Sequence, residues 1–344
     1  MSTSPHESLA APLDITDSNS TPHPDPPLEP IPDRSTENPE SWHLKPSALL
    51  SVQTLGELNQ RSDRKGWQQL TTHLGIMMLS GTLWSISPWP LAIPAGIVYG
   101  FSLASMFATV HECVHRTAFA SQGLNDGVAW MAGVLSFYNS DFYRRYHKWH
   151  HRYTQLEGKD PELEEEMPTH WGNYLWRMSG IPWWLGKIRG HVRVAVGDFS
   201  GCPYISEAAA PEVAQSTRWQ LAVYGLAIAL SIVTRHPWFF THWLLPLAMG
   251  QPILRCILLA EHTGCAKTDN PLANTRTTLT IAPIRLLMWN MPFHAEHHLY
   301  ASIPFHALPH AHEHLKERLT EVAPGYLAVH RQLTAQFKSV GSPA

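Results

Sequence analysis

From Gly66 to Val110 the chain carries no Asp, Glu, Lys or Arg, and from Trp219 to Ala260 it carries only Arg235 and Arg255. At about 1.5 Å of rise per residue and about 20 residues per crossing, each stretch is long enough for two membrane passes. Ser87-Pro88-Trp89-Pro90 breaks the first and Arg235-His236-Pro237 the second. The pattern therefore predicts helix 1 near 68–87, helix 2 near 91–110, helix 3 near 218–234 and helix 4 near 238–260. Arg255 falls inside helix 4, close enough to its end to snorkel toward the interface.

Two weaker segments lie between these hairpins. Residues 124–140 are moderately apolar but include Asn125, Asp126 and Asn139, which predicts a re-entrant or interfacial helix. In Trp171–Val196 four tryptophans (Trp171, Trp176, Trp183, Trp184) interleave with Arg177, Lys187, Arg189 and Arg193, the pattern of a helix lying in the headgroup plane. Trp183 and Trp184 read as interfacial anchors, and Lys187 with Arg189 as contacts for an anionic headgroup. Basic residues Arg144, Arg145, Lys148 and Arg152 assign their face to the cytoplasm. With two hairpins, both termini share that side.

Residues 1–45 hold nine of the 28 prolines among Ser, Thr, Asp and Glu, too polar to offset the entropy of ordering, and read as a disordered tail. No basic segment followed by an apolar run marks a secretory signal. The expected organisation is this tail, a membrane domain over 46–320 and a C-terminal tail over 321–344. The mean hydropathy of −0.18 averages the apolar middle with polar ends.

A net charge of −3 argues against a nucleic-acid surface. Only 15% of residues are charged, and 14 are Trp, as in membrane proteins with interfacial aromatics. The four cysteines form no C-x-x-C pair, so neither an iron–sulfur cluster nor a disulfide framework is indicated.

The chemistry concentrates in histidine. His111-Glu112-Cys113-Val114-His115, His147-Lys148-Trp149-His150-His151 and His294-Ala295-Glu296-His297-His298 are three spaced clusters. Positions i, i+3 and i+4 share one helix face, so each cluster is expected to aim its imidazoles at one point. Eight imidazoles exceed the about four that a tetrahedral zinc takes, and two metals is the simpler count. Imidazole suits Fe, Zn, Cu and Ni alike. His262, beside Glu261 at the cytoplasmic end of helix 4, is a ninth candidate. Asn290, four residues before His294, could hold a metal-bound water or cap a helix. The first cluster also satisfies H-E-x-x-H, a zinc-protease signature, but that reading leaves the other two clusters without a role. His306, His310, His312 and His314 read as surface histidines.

Over roughly residues 65–315 the chain resembles the membrane fatty acid desaturase superfamily, on the order and spacing of the three histidine boxes. Their surroundings, Arg144-Arg145-Tyr146-His147-Lys148-Trp149-His150-His151-Arg152 and Asn290-Met291-Pro292-Phe293-His294-Ala295-Glu296-His297-His298, resemble desaturase boxes too. The resemblance implies an all-α membrane fold: four transmembrane helices under a cytosolic helical cap with a non-haem di-iron site. It carries over His111, His115, His147, His150, His151, His294, His297 and His298 as ligands, and matches His262 to an additional histidine of some members. Box one has three intervening residues rather than the four of the acyl-CoA Δ9 type. Box three begins with His294 rather than the glutamine of front-end desaturases. No His-Pro-Gly-Gly haem motif occurs, so the implied electron donor is a separate ferredoxin, or cytochrome b5 with its reductase.

The implied reaction activates O2 at reduced di-iron and takes hydrogen from an unactivated methylene. A second abstraction gives an alkene; delivery of oxygen gives an alcohol. The expected function is introduction of a double bond into the acyl chain of a membrane lipid. A di-iron hydroxylase or ketolase acting on a carotenoid, sphingolipid or alkane is the alternative. A non-enzymatic metal- or haem-binding membrane protein is the third.

Overall fold

In a computed structural model the described residues are 49–164 and 167–337. The expected tail over 1–45 lies outside them. The helices are α1 (Val52–Leu58), α2 (Asp63–Ile86), α3 (Trp89–Ala104), α4 (Met106–Val114), α5 (Gln122–Ser136), α6 (Ser140–Tyr153), α7 (Trp171–Met178) and α8 (Ile181–Ala195). After these come α9 (Ala210–Val233), α10 (Leu245–His262), α11 (Ala282–Leu287), α12 (His294–Leu299), α13 (Leu308–Leu315) and α14 (Tyr326–Ala335). One short parallel ladder, β1 (Thr277–Thr278) with β2 (Val322–Ala323), is an addition to the expected all-helical fold.

Local chemistry sets the long helices. Ser62 caps α2 by accepting the Lys65 N–H, and Asp63 follows in the first turn, where a carboxylate favours the helix dipole. Pro90 sits in the first turn of α3, where no N–H is needed. Chain breaks at 87–88 and 234–237 lie beside the prolines that predict them. Ser105 separates α3 from α4, and together they form one apolar run over Trp89–Val114. A π-helical turn, Phe240–Leu244, leads into α10. Trp89–Val114 and Phe240–His262 are each long and apolar enough to cross a bilayer.

The centre of the fold is the crossing of α3 with α10. A Cβ on Gly100 would lie 2.0 Å from the Pro246 carbonyl oxygen, and one on Gly250 2.0 Å from that of Gly100. Only glycine allows this backbone approach, the small-residue packing of membrane helices. α2 packs along α3 and is tied to the far end of the chain through His73. That ring accepts from Trp289 Nε1 at 3.2 Å and donates to the Ser102 carbonyl at 2.8 Å.

Three segments differ from expectation. Residues 124–140 run through most of α5, a turn and the first residue of α6, with Val128, Ala129 and Ala132 of α5 buried against α4. The segment 171–196 is two helices, broken where Gly180 takes φ +74° and approaches Gln251. The residues assigned to a C-terminal tail include β2 and α14, whose Val329 and Leu333 pack on Leu259 and Ala260 of α10.

Candidate metal centre

All nine predicted histidines come together at the ends of α4, α6, α10 and α12, in two groups. His111, His115, His147, His151 and His297 form one, and His150, His262 and His298 the other, with ligand atoms in each within 4.8 Å of one another. His294 joins the second: its Nε2 lies 3.1 Å from His262 Nε2 and 3.2 Å from His298 Nε2.

The grouping corrects the expectation that each cluster aims at one point. His147 and His151 face the first group while His150, between them, faces the second. His294 and His298 face the second while His297 faces the first. At about 100° per residue, i and i+4 stay about 40° apart, but i+3 falls on the other flank of i. Each H-x-x-H-H box therefore divides between two centres.

The donor set fits metal ions. His111 Nε2 and His115 Nε2 are buried without a hydrogen-bond partner. His151 Nε2 lies 3.0 Å from His147 Nε2 and 3.1 Å from His297 Nε2, and His150 Nε2 lies 3.2 Å from His262 Nε2. Nitrogens bound at about 2.1 Å to one metal stand about 3.0 Å apart when adjacent and about 4.2 Å apart when opposite. A five-imidazole group exceeds tetrahedral zinc and suits an open-shell metal.

Partners behind the rings orient them. His150 Nδ1 donates to Asp160 Oδ1 at 2.9 Å, and Asp160 is itself held by the N–H groups of Gln155 and Glu162. His262 Nδ1 faces the Asn274 carbonyl at 3.3 Å, which turns Nε2 toward the centre. Arg276 donates to the Ala260 and Thr263 carbonyls and so caps the C-terminus of α10 that carries His262. Such outer hydrogen bonds fix tautomer and ring orientation.

Burial and neighbouring charge keep most rings neutral. Burial, then Lys148, pulls His115 down to about 3. Burial and the crowd of imidazoles hold His147, His151, His294, His297 and His298 well below the usual histidine range. At His150 burial opposes the charge, but the carboxylates of Glu162 and Asp160 outweigh it and raise its pKa. Neutral imidazole is the form that binds metal.

Several residues take places the sequence did not reveal. Glu112 is fully buried, and its Oε1 accepts the Phe305 N–H at 2.9 Å. That is a brace, not the water-facing base of a protease. Glu296, inside box three, accepts from Thr277 Oγ1 and His312 Nδ1. His312 is therefore buried, whereas His310 and His314 are exposed as expected and His306 is half-buried. Asn290 donates to the Phe305 carbonyl at 3.1 Å, and the residue that precedes α12 as its N-cap is Phe293. Helix periodicity could have placed His312 on the buried face of α13 with Leu308, Ala311 and Leu315. Nothing in spacing announces Asp160.

A cavity of about 890 Å³ opens beside the histidines. His111, His147, His150, His262 and His294 form one part of its wall, and Tyr138, Trp183, Lys187 and Arg255 another. Several residues singled out in the sequence meet at this wall. Arg255 donates to Tyr138 Oη at 3.0 Å. Trp183 is half-buried and donates to the same oxygen at 3.1 Å, and Trp184, also half-buried, packs edge-on against Phe137. Lys187 turns into the cavity and Arg189 out of it.

The family model "Fatty acid desaturase" matches residues 87–330. Similar curated proteins carry the name sn-1 oleoyl-lipid 12-desaturase. One from Picosynechococcus sp. is 22% identical over 275 residues, 75% of this chain and 78% of its own length. Another from Anabaena variabilis is 24% identical over 282 residues, 76% and 79% respectively. A third, from Synechocystis sp., is 24% identical over 319 residues, 85% and 87%.

Proposed function

The chain belongs to the fatty acid desaturase family, and on that premise we propose that it is an O2-dependent di-iron oxidoreductase placing a double bond in the acyl chain of a membrane lipid. The observation that carries this reading is the division of nine imidazoles into two adjacent groups beside a cavity large enough for one acyl chain. His111, His115, His147, His151 and His297 hold one iron, and His150, His262, His294 and His298 the other.

When bound, such an iron pair supplies the O2 activation needed to break an unactivated C–H bond. The protein's part is placement and exclusion of water. Phe107, Tyr138 and Tyr143, in mutual ring contact at 4.5–5.8 Å, wall the cavity beside His111 and His147. Removing two hydrogens from adjacent methylenes and reducing O2 to two waters consumes two further electrons and two protons. A separate ferredoxin, or cytochrome b5 with its reductase, delivers the electrons.

In the membrane, α2, α3–α4, α9 and the helix ending in α10 cross as two hairpins, both termini cytoplasmic. α2 and α9 are 24 residues each, above the about 20 a crossing needs. They expose Met78, Leu79 and Ile86, and Leu226, Ile232 and Val233, apolar surface suited to lipid. Exposed Ile181, Leu185, Ile188 and Val192 give α8 an apolar stripe for the interface. Arg144, Arg145, Lys148 and Arg152 on α6 support a cytoplasmic metal side.

The test is lipid and pigment profiling of cells expressing the wild-type chain or His150→Ala. The proposal expects acyl chains lacking two hydrogens in the wild type alone. Gain of one oxygen instead would identify a hydroxylase on the same scaffold, and no change in either strain would overturn the enzyme reading.

A further inference from the structure

Two cations line the cavity away from the histidines without an acidic partner. Among the described residues neither Lys187 nor Arg255 forms an ion pair, although both are drawn in from solvent. The Lys187 ammonium stands 3.6 Å over the Tyr138 ring, and the Arg255 guanidinium 5.3 Å over that of Trp183. Aromatic faces ease the loss of water but carry no net negative charge. Glu261, on the same helix, feels the Arg255 charge but makes no ion-pair contact with it, and its Oε2 is 3.7 Å from His294 Nε2 at the metal end.

Tyr138 supplies a third donor. Its oxygen accepts from both Arg255 Nη2 and Trp183 Nε1, which occupies both lone pairs and leaves its own proton for another acceptor. The residue is rigidly set. Phe137 ends α5 in the left-handed region at φ +62°, and the Tyr138 N–H returns to the Gly133 carbonyl at 2.8 Å, a Schellman turn. Gln220 Nε2 then donates to the Tyr138 carbonyl at 2.9 Å. Three donors from α8, α10 and the turn after α5 thus face one cavity. Arg255 precedes His262 by two helical turns, about 10 Å along the axis.

We propose that Lys187, Arg255 and the Tyr138 hydroxyl form an anion site that receives the acidic end group of the substrate, a carboxylate or phosphate ester, while its apolar chain extends to the histidines. The site deepens the reading of the substrate as a long apolar chain and rests on it. Burial and the adjacent Arg255 lower Lys187 to about 7, the behaviour of a cation awaiting a counter-charge. The end group then sets the distance between itself and the carbon presented to the metals.

The experiment measures binding by the full-length protein in neutral detergent, read through tryptophan fluorescence, with oleate, oleyl alcohol and 1-oleoylglycerol phosphate as probes. Oleate or the phosphate should bind at least about ten-fold more tightly than the alcohol, as expected for charge-assisted hydrogen bonds in a partly dry site. Whichever of the two binds more tightly identifies the end group. Lys187→Met and Arg255→Met should each bring that ratio close to one with the alcohol's affinity nearly unchanged, and Lys187→Arg should restore it. Tyr138→Phe, which keeps the ring, should lower the ratio by a smaller factor. Equal affinity of all three probes for the wild type would overturn the proposal, as would an unaltered ratio in these variants. Iron content and lipid products are measured separately. A charge preference without alkene products would uphold this site while sinking the proposed activity.

Discussion

His150 donates through Nδ1 to Asp160 across 2.9 Å while its Nε2 stands 3.2 Å from that of His262. One side chain thereby joins a buried carboxylate to the second histidine group. Asp160→Asn keeps the shape but can no longer take the proton as an ionised acceptor. Loss of such a partner typically weakens metal binding about 10–100-fold. Metal content during stepwise chelator titration should fall earlier in the variant, and first at only one of the two irons. A titration matching the wild type would remove Asp160 from the site.

His262→Ala should separate the two groups. It removes one of four nitrogens from the second and none from the five of the first. The expected protein keeps about one iron per chain and loses turnover. Full iron content measured in the purified variant would show that His262 stands by the site without binding.

His312→Ala should destabilise the fold, in contrast to His310→Ala. Glu296 is wholly buried and accepts from His312, so truncation strands a buried acceptor at a cost of about 1–3 kcal/mol. His310 is exposed and its loss should lie within about 0.5 kcal/mol of neutral. Thermal unfolding of the two variants in detergent checks the difference; equal midpoints would contradict it.

Gly100→Leu should disrupt the α3–α10 crossing, since even a Cβ would meet the Pro246 carbonyl oxygen at 2.0 Å. Overpacking costs about 1–3 kcal/mol where side chains yield, and here the obstacle is backbone. The expected outcome is little extractable, monodisperse protein by size-exclusion chromatography, against normal recovery for Gly225→Leu, where nothing lies within 4 Å. Equal recovery would mean that the helices can part without penalty.

Oleate binding should depend on pH through Lys187. With its pKa lowered to about 7, the ammonium is increasingly neutral above that value, so affinity should fall as pH rises from 7 to 9. His191, pulled by burial to about 4, stays neutral throughout. Lys187→Met should flatten the profile over this range, and a slope that persists in the variant would assign the titration to another group.

Much of this architecture was legible because its signals are local. Long uncharged stretches and the prolines at 88, 90 and 237 marked the long helices, and i, i+3, i+4 spacing marked the candidate ligands. What spacing could not convey was the division of adjacent residues, His150 from His151 and His297 from His298, between two centres. That depends on which helix stands opposite. The orientation of Lys187 was equally hidden. A basic residue on an interfacial helix reads as solvated until the break at Gly180 and the turn at Phe137 are known to bring it over Tyr138. His312 misled for a related reason, since a polar side chain reads as exposed when its buried partner, here Glu296, is not visible in the local pattern.

The central claim is that this chain holds two irons between its nine imidazoles. Elemental analysis with Mössbauer spectroscopy, on full-length protein from iron-57-fed cells, tests it most directly. About two irons per chain in nitrogen-rich, non-haem sites are predicted, with neither thiolate nor haem signatures. A single zinc per chain and no iron would contradict it.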